Sequence, residues 1–164
     1  DNPFLPKFYE DANRYAFPLE MSFLADRYQQ ISDDLAQLDL FKDFIVSDYY
    51  VVKSLIFSKI TLDGDEFNLY RKLFNLMYKD IAKPELYIYL YQNTERLQQN
   101  IQKRGREYEQ NIADDYLKKI NAGYLEFLKT QKDFNVKIID VSHRDFVENR
   151  EDYLWVLNEI LLNS

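Results

Sequence analysis

With 164 residues, 46% of them apolar and 16% aromatic, the chain matches one domain of about 150 residues with a true core, and is too apolar for a disordered tail. Its 21 Lys and Arg stand against 28 Asp and Glu, and the net charge of −7 argues against a general nucleic-acid or anionic-membrane binder; any phosphate site must be local. The absence of cysteine excludes disulfides and thiolate metal sites, a single histidine excludes a His-rich one, and neither a bilayer-spanning run nor a signal-peptide start is present, so a cytoplasmic protein is expected.

Met21, Leu24, Tyr28, Ile31, Leu35 and Leu38 are spaced 3-4-3-4-3, which predicts a helix over about residues 17–38. Phe44-Ile45-Val46 is a short apolar run ending in Ser47-Asp48 and reads as a buried strand. Phe67, Tyr70, Phe74, Met77 and Ile81 predict a second amphipathic helix, stopped by Lys83-Pro84 because proline disfavours helix in the residue before it. A strand follows over residues 86–91. Asn93 or Thr94 can cap a helix through Lys103 with Arg104-Gly105 as its stop, and Ile112, Tyr116, Ile120, Phe127 and Leu128 mark another. Residues 136–141 form the third strand, and residues 147–162 the closing helix. Alternating strands and helices predict an α/β fold with a buried parallel sheet, whose ligands bind beyond the carboxyl ends of the strands. No repeat or linker divides residues 1–164, so one domain is expected.

Gly64, Gly105 and Gly123 are the only glycines and none precedes a lysine, so neither a Walker A loop nor a GxGxxG turn is present in these residues. The cluster Lys103-Arg104-Gly105-Arg106-Glu107-Tyr108-Glu109 sets cations beside carboxylates around a glycine. It reads either as a segment closing over polyphosphate or as a helix end with basic residues on the dipole and glycine in the left-handed cap. Asp48, at a strand end, is a general base, a ligand to magnesium-bound water, or a helix N-cap. Glu20 and Arg27 lie two turns apart on one helical face, where they reach one pocket or form a structural ion pair. His143 reads as an ordinary loop residue.

Asn2-Pro3-Phe4-Leu5, Phe8-Tyr9-Glu10-Asp11, Arg14-Tyr15-Ala16-Phe17, Glu20, Phe23-Leu24 and Arg27 together resemble the deoxynucleoside kinase family. The resemblance continues through Asp48, through Arg104 to Glu109, which is similar to the family's lid, and through Asp140-Val141 with Asp145-Phe146, similar to its adenine loop. It implies a P-loop-kinase-like three-layer αβα fold, ATP and Mg2+ as cofactors, and a homodimer. It also implies roles residue by residue. Tyr9 and Glu109 hold the sugar 3′-hydroxyl, Arg27 lies between base and 5′-hydroxyl, and Asp48 takes the 5′-hydroxyl proton. Arg104 and Arg106 neutralise the transferring phosphoryl group, and Asp145 and Phe146 border the adenine of ATP.

The sequence departs from the family's pattern at several points. Glu20 stands where a base-reading glutamine is usual, and a carboxylate only accepts where an amide also donates. Asp48 is followed by Tyr49 and Tyr50 instead of arginine and serine, which removes one cation. This stretch with Ser54 also resembles thymidylate kinases, so a nucleoside monophosphate stays open as acceptor. Ser54 replaces an acidic base contact of some members. The family's first strand, P-loop, helix and second strand have no counterpart in residues 1–164, so the sequence is expected to be the carboxyl-terminal part of a longer chain, truncated at the N-terminus and inactive alone. The alternative expectation is a non-catalytic dimerisation or accessory module, such as those fused behind hydroxymethyldihydropterin pyrophosphokinase of the folate pathway.

Overall fold

The computed structural model describes residues 2–36 and 45–162. They form two compact units, Asp1–Ile81 and Ala82–Ser164.

The first unit is helical. In α1 (Leu5–Glu10) a proline occupies the first turn, where its missing N–H costs nothing. Asn2 accepts from the Phe4 N–H at 2.9 Å and donates to Ser22 Oγ, tying this segment to α2 (Ala12–Ala36). That helix starts earlier than the hydrophobic spacing predicts, because the Asp11 carboxylate takes the Arg14 N–H at 3.2 Å and caps it. Pro18 lies within it. Along the predicted stripe Leu24 is fully buried, Met21 and Ile31 are half-buried and Tyr28 is exposed, while Leu35 and Leu38 lie outside the described side chains.

The expected strand at residues 44–46 is corrected. Phe44 lies outside the described residues, and Ile45 and Val46 are 66% and 84% exposed in an irregular segment. A strand exists only through a neighbour's backbone hydrogen bonds, and three apolar residues do not specify one. The helix α3 (Val52–Thr61) is not legible in the sequence, since Val51, Val52, Ile56 and Ile60 suit a strand as well. It buries two serines, Ser54 and Ser58. The next helix, α4 (Gly64–Met77), is capped by Asp63, whose carboxylate accepts from the N–H groups of Asp65 (3.1 Å) and Glu66 (2.9 Å). It ends before the expected stop at Lys83-Pro84, and Ile81 belongs to a turn in which its N–H bonds Tyr78 O. The long helix α2 packs against α1, α3 and α4, burying Leu19, Leu24, Ile56, Tyr70 and Phe74.

The second unit is α/β. Its strands β1 (Leu86–Tyr91) and β2 (Asn135–Asp140) pair in parallel from Leu86 opposite Asn135 to Tyr91 opposite Asp140. Between them run α5 (Thr94–Arg104) and α6 (Asp114–Thr130), and α7 (Arg150–Leu162) follows. Period-two alternation divides β1 between two faces. Ile88 packs on the cluster Ile139, Val141 and Val156, which includes α7, while Tyr89 stacks on Tyr124 of α6 with ring centroids 4.8 Å apart. The Tyr89 hydroxyl donates to Asn121 Oδ1 (3.0 Å), and Asn121 Nδ2 donates to Gln92 O (2.8 Å), so this buried polar group is satisfied. The strands are less buried than their apolar sequences suggest: Leu90 and Ile138 remain exposed, each strand having one neighbour among the described residues.

Candidate functional site

In the first unit α2 carries Glu20 and Arg27 on one side, as their spacing predicts, but each turns to other partners. The Glu20 side chain is buried, at 4% exposure, and its Oε1 accepts from Thr61 Oγ1 at 2.7 Å. Arg27 donates to Gln30 Oε1 (2.6 Å) and lies over the Tyr49 ring, with its guanidinium carbon 4.7 Å from the centroid. Tyr49 links the two, because its phenol feels both charges and bonds Ser54 Oγ at 2.7 Å. Burial raises the Tyr49 phenol pKa, and Ser54 and Arg27 offset part of the rise. Glu20 is pushed up from 4.5 to about 7 by burial, against the Thr61 hydrogen bond, which pulls it down. The Tyr70 hydroxyl, also in reach of the Glu20 charge, is buried beside Ser54.

Asp48 is exposed in the irregular segment before α3. It is not that helix's N-cap, because Val51 holds the position without a side-chain bond. Beside it Ser47 Oγ donates to Tyr49 O at 2.7 Å. Tyr9 is half-buried on α1, edge-on to Phe8.

In the second unit α5 is capped by Asn93, which accepts from the Arg96 N–H at 2.9 Å, and ends at Gly105 in the left-handed region with φ +71°. The basic cluster is thus a helix end, as one of its two readings has it, and there Arg104 Nη2 and Arg106 Nη1 both pair with Glu109, the second at 3.3 Å. Glu109 is 5% exposed while both arginines are about half exposed. A Gly105→Ala variant should lose about 1 kcal/mol, since the added Cβ meets nothing within 4 Å and the cost is the positive φ alone. Chemical denaturation checks this, and unchanged stability would contradict it.

Asp145 and Phe146 lie in the loop after β2. Asp145 accepts from the Glu148 N–H (3.1 Å), which is the main reason its carboxyl sits below the usual range, and it lies 3.5 Å from Arg96 Nη2. The loop is anchored by Asp152, which accepts from Arg144 Nη1 (2.9 Å) and the Asp145 N–H (2.8 Å). Phe146 packs on the cluster of Ile139, Val141 and Val156. His143 is an exposed turn residue. Thr61 and Arg96 carry no motif and were not legible from sequence; only tertiary packing gives them partners.

Each guanidinium has five donors, and Arg104 and Arg106 each place one on Glu109, so this half-exposed pair suits phosphate oxygens. Among the described residues no group of three or more His, Asp or Glu could hold a metal ion. An open groove lined by Lys83, Glu85, Lys132 and Asp133 lies at the amino ends of β1 and β2, opposite the end where parallel sheets bind ligands. No helix among the described residues is long and apolar enough to cross a membrane.

The profile of the family described as "Deoxynucleoside kinase" matches residues 1–163. The deoxyguanosine kinase of Bacillus subtilis is 32% identical over 157 residues, covering 93% of this chain and 76% of the relative. A deoxyadenosine kinase of Lactobacillus acidophilus is 31% identical over 173 residues, covering 97% and 78%. Among solved structures, the deoxyadenosine kinase of M. mycoides with bound dCTP superposes with a TM-score of 0.78 at 23% identity, covering 98% of this chain and 80% of that one. The same enzyme with bound dATP gives 0.78 at 24% identity. The likeness bears out the α/β, P-loop-kinase-like αβα fold with a parallel sheet.

Proposed function

The chain belongs to the deoxynucleoside kinase family, and from that premise we propose that it transfers a phosphoryl group from ATP to the 5′-hydroxyl of a deoxynucleoside. The match over residues 1–163 carries this reading. Relatives named as kinases do not favour the accessory-module alternative.

In this reading residues of the first unit attend to the nucleoside. Glu20 meets the base, Tyr9 meets the sugar, Arg27 lies near the 5′ end and Asp48 accepts the 5′-hydroxyl proton. Glu109 takes the role of holding the sugar 3′-hydroxyl, and Asp145 and Phe146 border the adenine. Arg104 and Arg106 offer donors to charge developing on the phosphoryl oxygens, an arrangement supported by their shared grip on Glu109. When bound, ATP supplies the phosphoryl group and Mg2+ screens its charge. No Walker A loop lies in residues 1–164, so the triphosphate grip is assigned to residues outside them. We also propose a cytoplasmic location and a homodimer, for which light scattering should give twice the chain mass.

The test incubates the protein at full natural length with ATP, Mg2+ and each deoxynucleoside. Equal amounts of ADP and deoxynucleoside 5′-monophosphate are expected. A 5′-deoxy analogue should give none, and no product from any deoxynucleoside refutes the reading.

A further inference from the structure

Thr61 Oγ1 sits 2.7 Å from Glu20 Oε1 and 3.0 Å from Phe57 O, the carbonyl one turn back on its own helix. A hydroxyl has one hydrogen and cannot donate to both. If Thr61 donates to Glu20, the carboxylate is served and Phe57 O loses this contact. If Thr61 donates to Phe57 O, its oxygen must accept a proton from Glu20, which is then the neutral acid. The hydroxyl thus turns with the charge on Glu20 and serves both forms.

The groups around Glu20 leave both forms accessible. Tyr49, from the segment before α3, and Tyr70 of α4 are the titratable side chains that feel its charge. Arg27 on its own helix is engaged with Gln30 and the Tyr49 ring. The ionisable residues of α1, Lys7, Tyr9 and Glu10, are not among the influences on its acidity, and neither is any cation. With 4% exposure and no paired cation, Glu20 is an unusual acid for a site that meets a neutral base.

Resting on the reading that this residue meets the base, we propose that Glu20 discriminates between purines by its protonation state: the carboxylate accepts guanine and rejects adenine, whereas the neutral acid admits both. The reason lies in the base edges. Guanine offers N1–H and N2–H side by side, two donors for the two oxygens of a carboxylate. Adenine offers one donor at N6 beside an acceptor at N1, which a carboxylate opposes with a second acceptor. The neutral acid, its proton turned from Thr61 to the base, donates from one oxygen to adenine N1 and accepts at the other from N6–H. It also pairs with guanine through O6 and N1–H. The proton comes from solvent and returns to it, and the phosphoryl transfer itself is unaltered.

The experiment measures kcat/KM of the full-length protein for deoxyadenosine and deoxyguanosine across pH, taking their ratio so that titrations common to both substrates cancel. The burial that raises Glu20 to about 7 places the change within reach. Between about pH 6 and pH 8 the adenine-to-guanine ratio should fall about tenfold, because kcat/KM reports the free enzyme's protonation. Glu20→Gln, which both donates and accepts at every pH, should make the ratio flat. Thr61→Val, lacking the donor that favours the carboxylate, should move the midpoint to higher pH. Thermal stabilisation by each nucleoside, without ATP, should follow the same profile. A flat wild-type ratio with both nucleosides phosphorylated overturns this inference alone, as does an unchanged slope in Glu20→Gln. An absence of phosphorylation with both purine nucleosides also overturns this inference, and only an absence with every deoxynucleoside overturns the kinase reading with it.

Discussion

Asp48→Asn is expected to lower kcat by about a hundredfold or more while leaving the KM for the nucleoside nearly unchanged. A base acts on the 5′-hydroxyl proton only as the oxygen attacks, so its loss is felt in the transition state and little in the ground state. Asparagine keeps the size of the side chain and removes its basicity. Asp48 is exposed and caps no helix, so stability should change by less than about 0.5 kcal/mol, and a fall in turnover then cannot be blamed on folding. Steady-state kinetics with a denaturation control decide the matter. Turnover equal to wild type would remove Asp48 from the mechanism.

The second large effect is on stability. Folding raises the Glu20 pKa from 4.5 to about 7. Below pH 4.5 both folded and unfolded chains hold the proton, and the residue exacts no pH-dependent penalty. As pH rises from there, the unfolded chain releases its proton first and gains from ionising, while the folded chain keeps it. Stability therefore falls with pH until the folded pKa is passed, and the loss is complete above it. The gap of 4.5 to about 7, at about 1.4 kcal/mol per pH unit, makes the loss about 3 kcal/mol. Glu20→Gln carries no such charge. Its stability relative to wild type should rise by about that amount between about pH 4.5 and pH 8, measured by urea unfolding at each pH without nucleoside. Parallel curves for the two proteins would show that burial does not hold the proton on Glu20. This measurement involves no substrate and so tests the acidity of Glu20 separately from its part in choosing a base.

The sequence by itself determined the elements whose signals are local. The strand β1 was read with its observed ends, and β2 and α5 to α7 within a few residues, because apolar runs, Asn93 as cap and Gly105 as stop act through neighbours along the chain. The family also was legible, since its residues recur in order along the chain. Tertiary structure decided the rest. The helix α3 has a strand-like composition, and its packing against α2 and α4, with Ser54 and Ser58 buried, makes it a helix. Ile45 and Val46 failed as a strand for the converse reason: pairing needs a partner that three residues cannot name. At the candidate site, spacing put Glu20 and Arg27 on one side of a helix but could not tell that Thr61 and Tyr49 separate their roles. Protonation is likewise not a property of sequence, because the proton on Glu20 depends on how much water the folded chain leaves around its carboxyl.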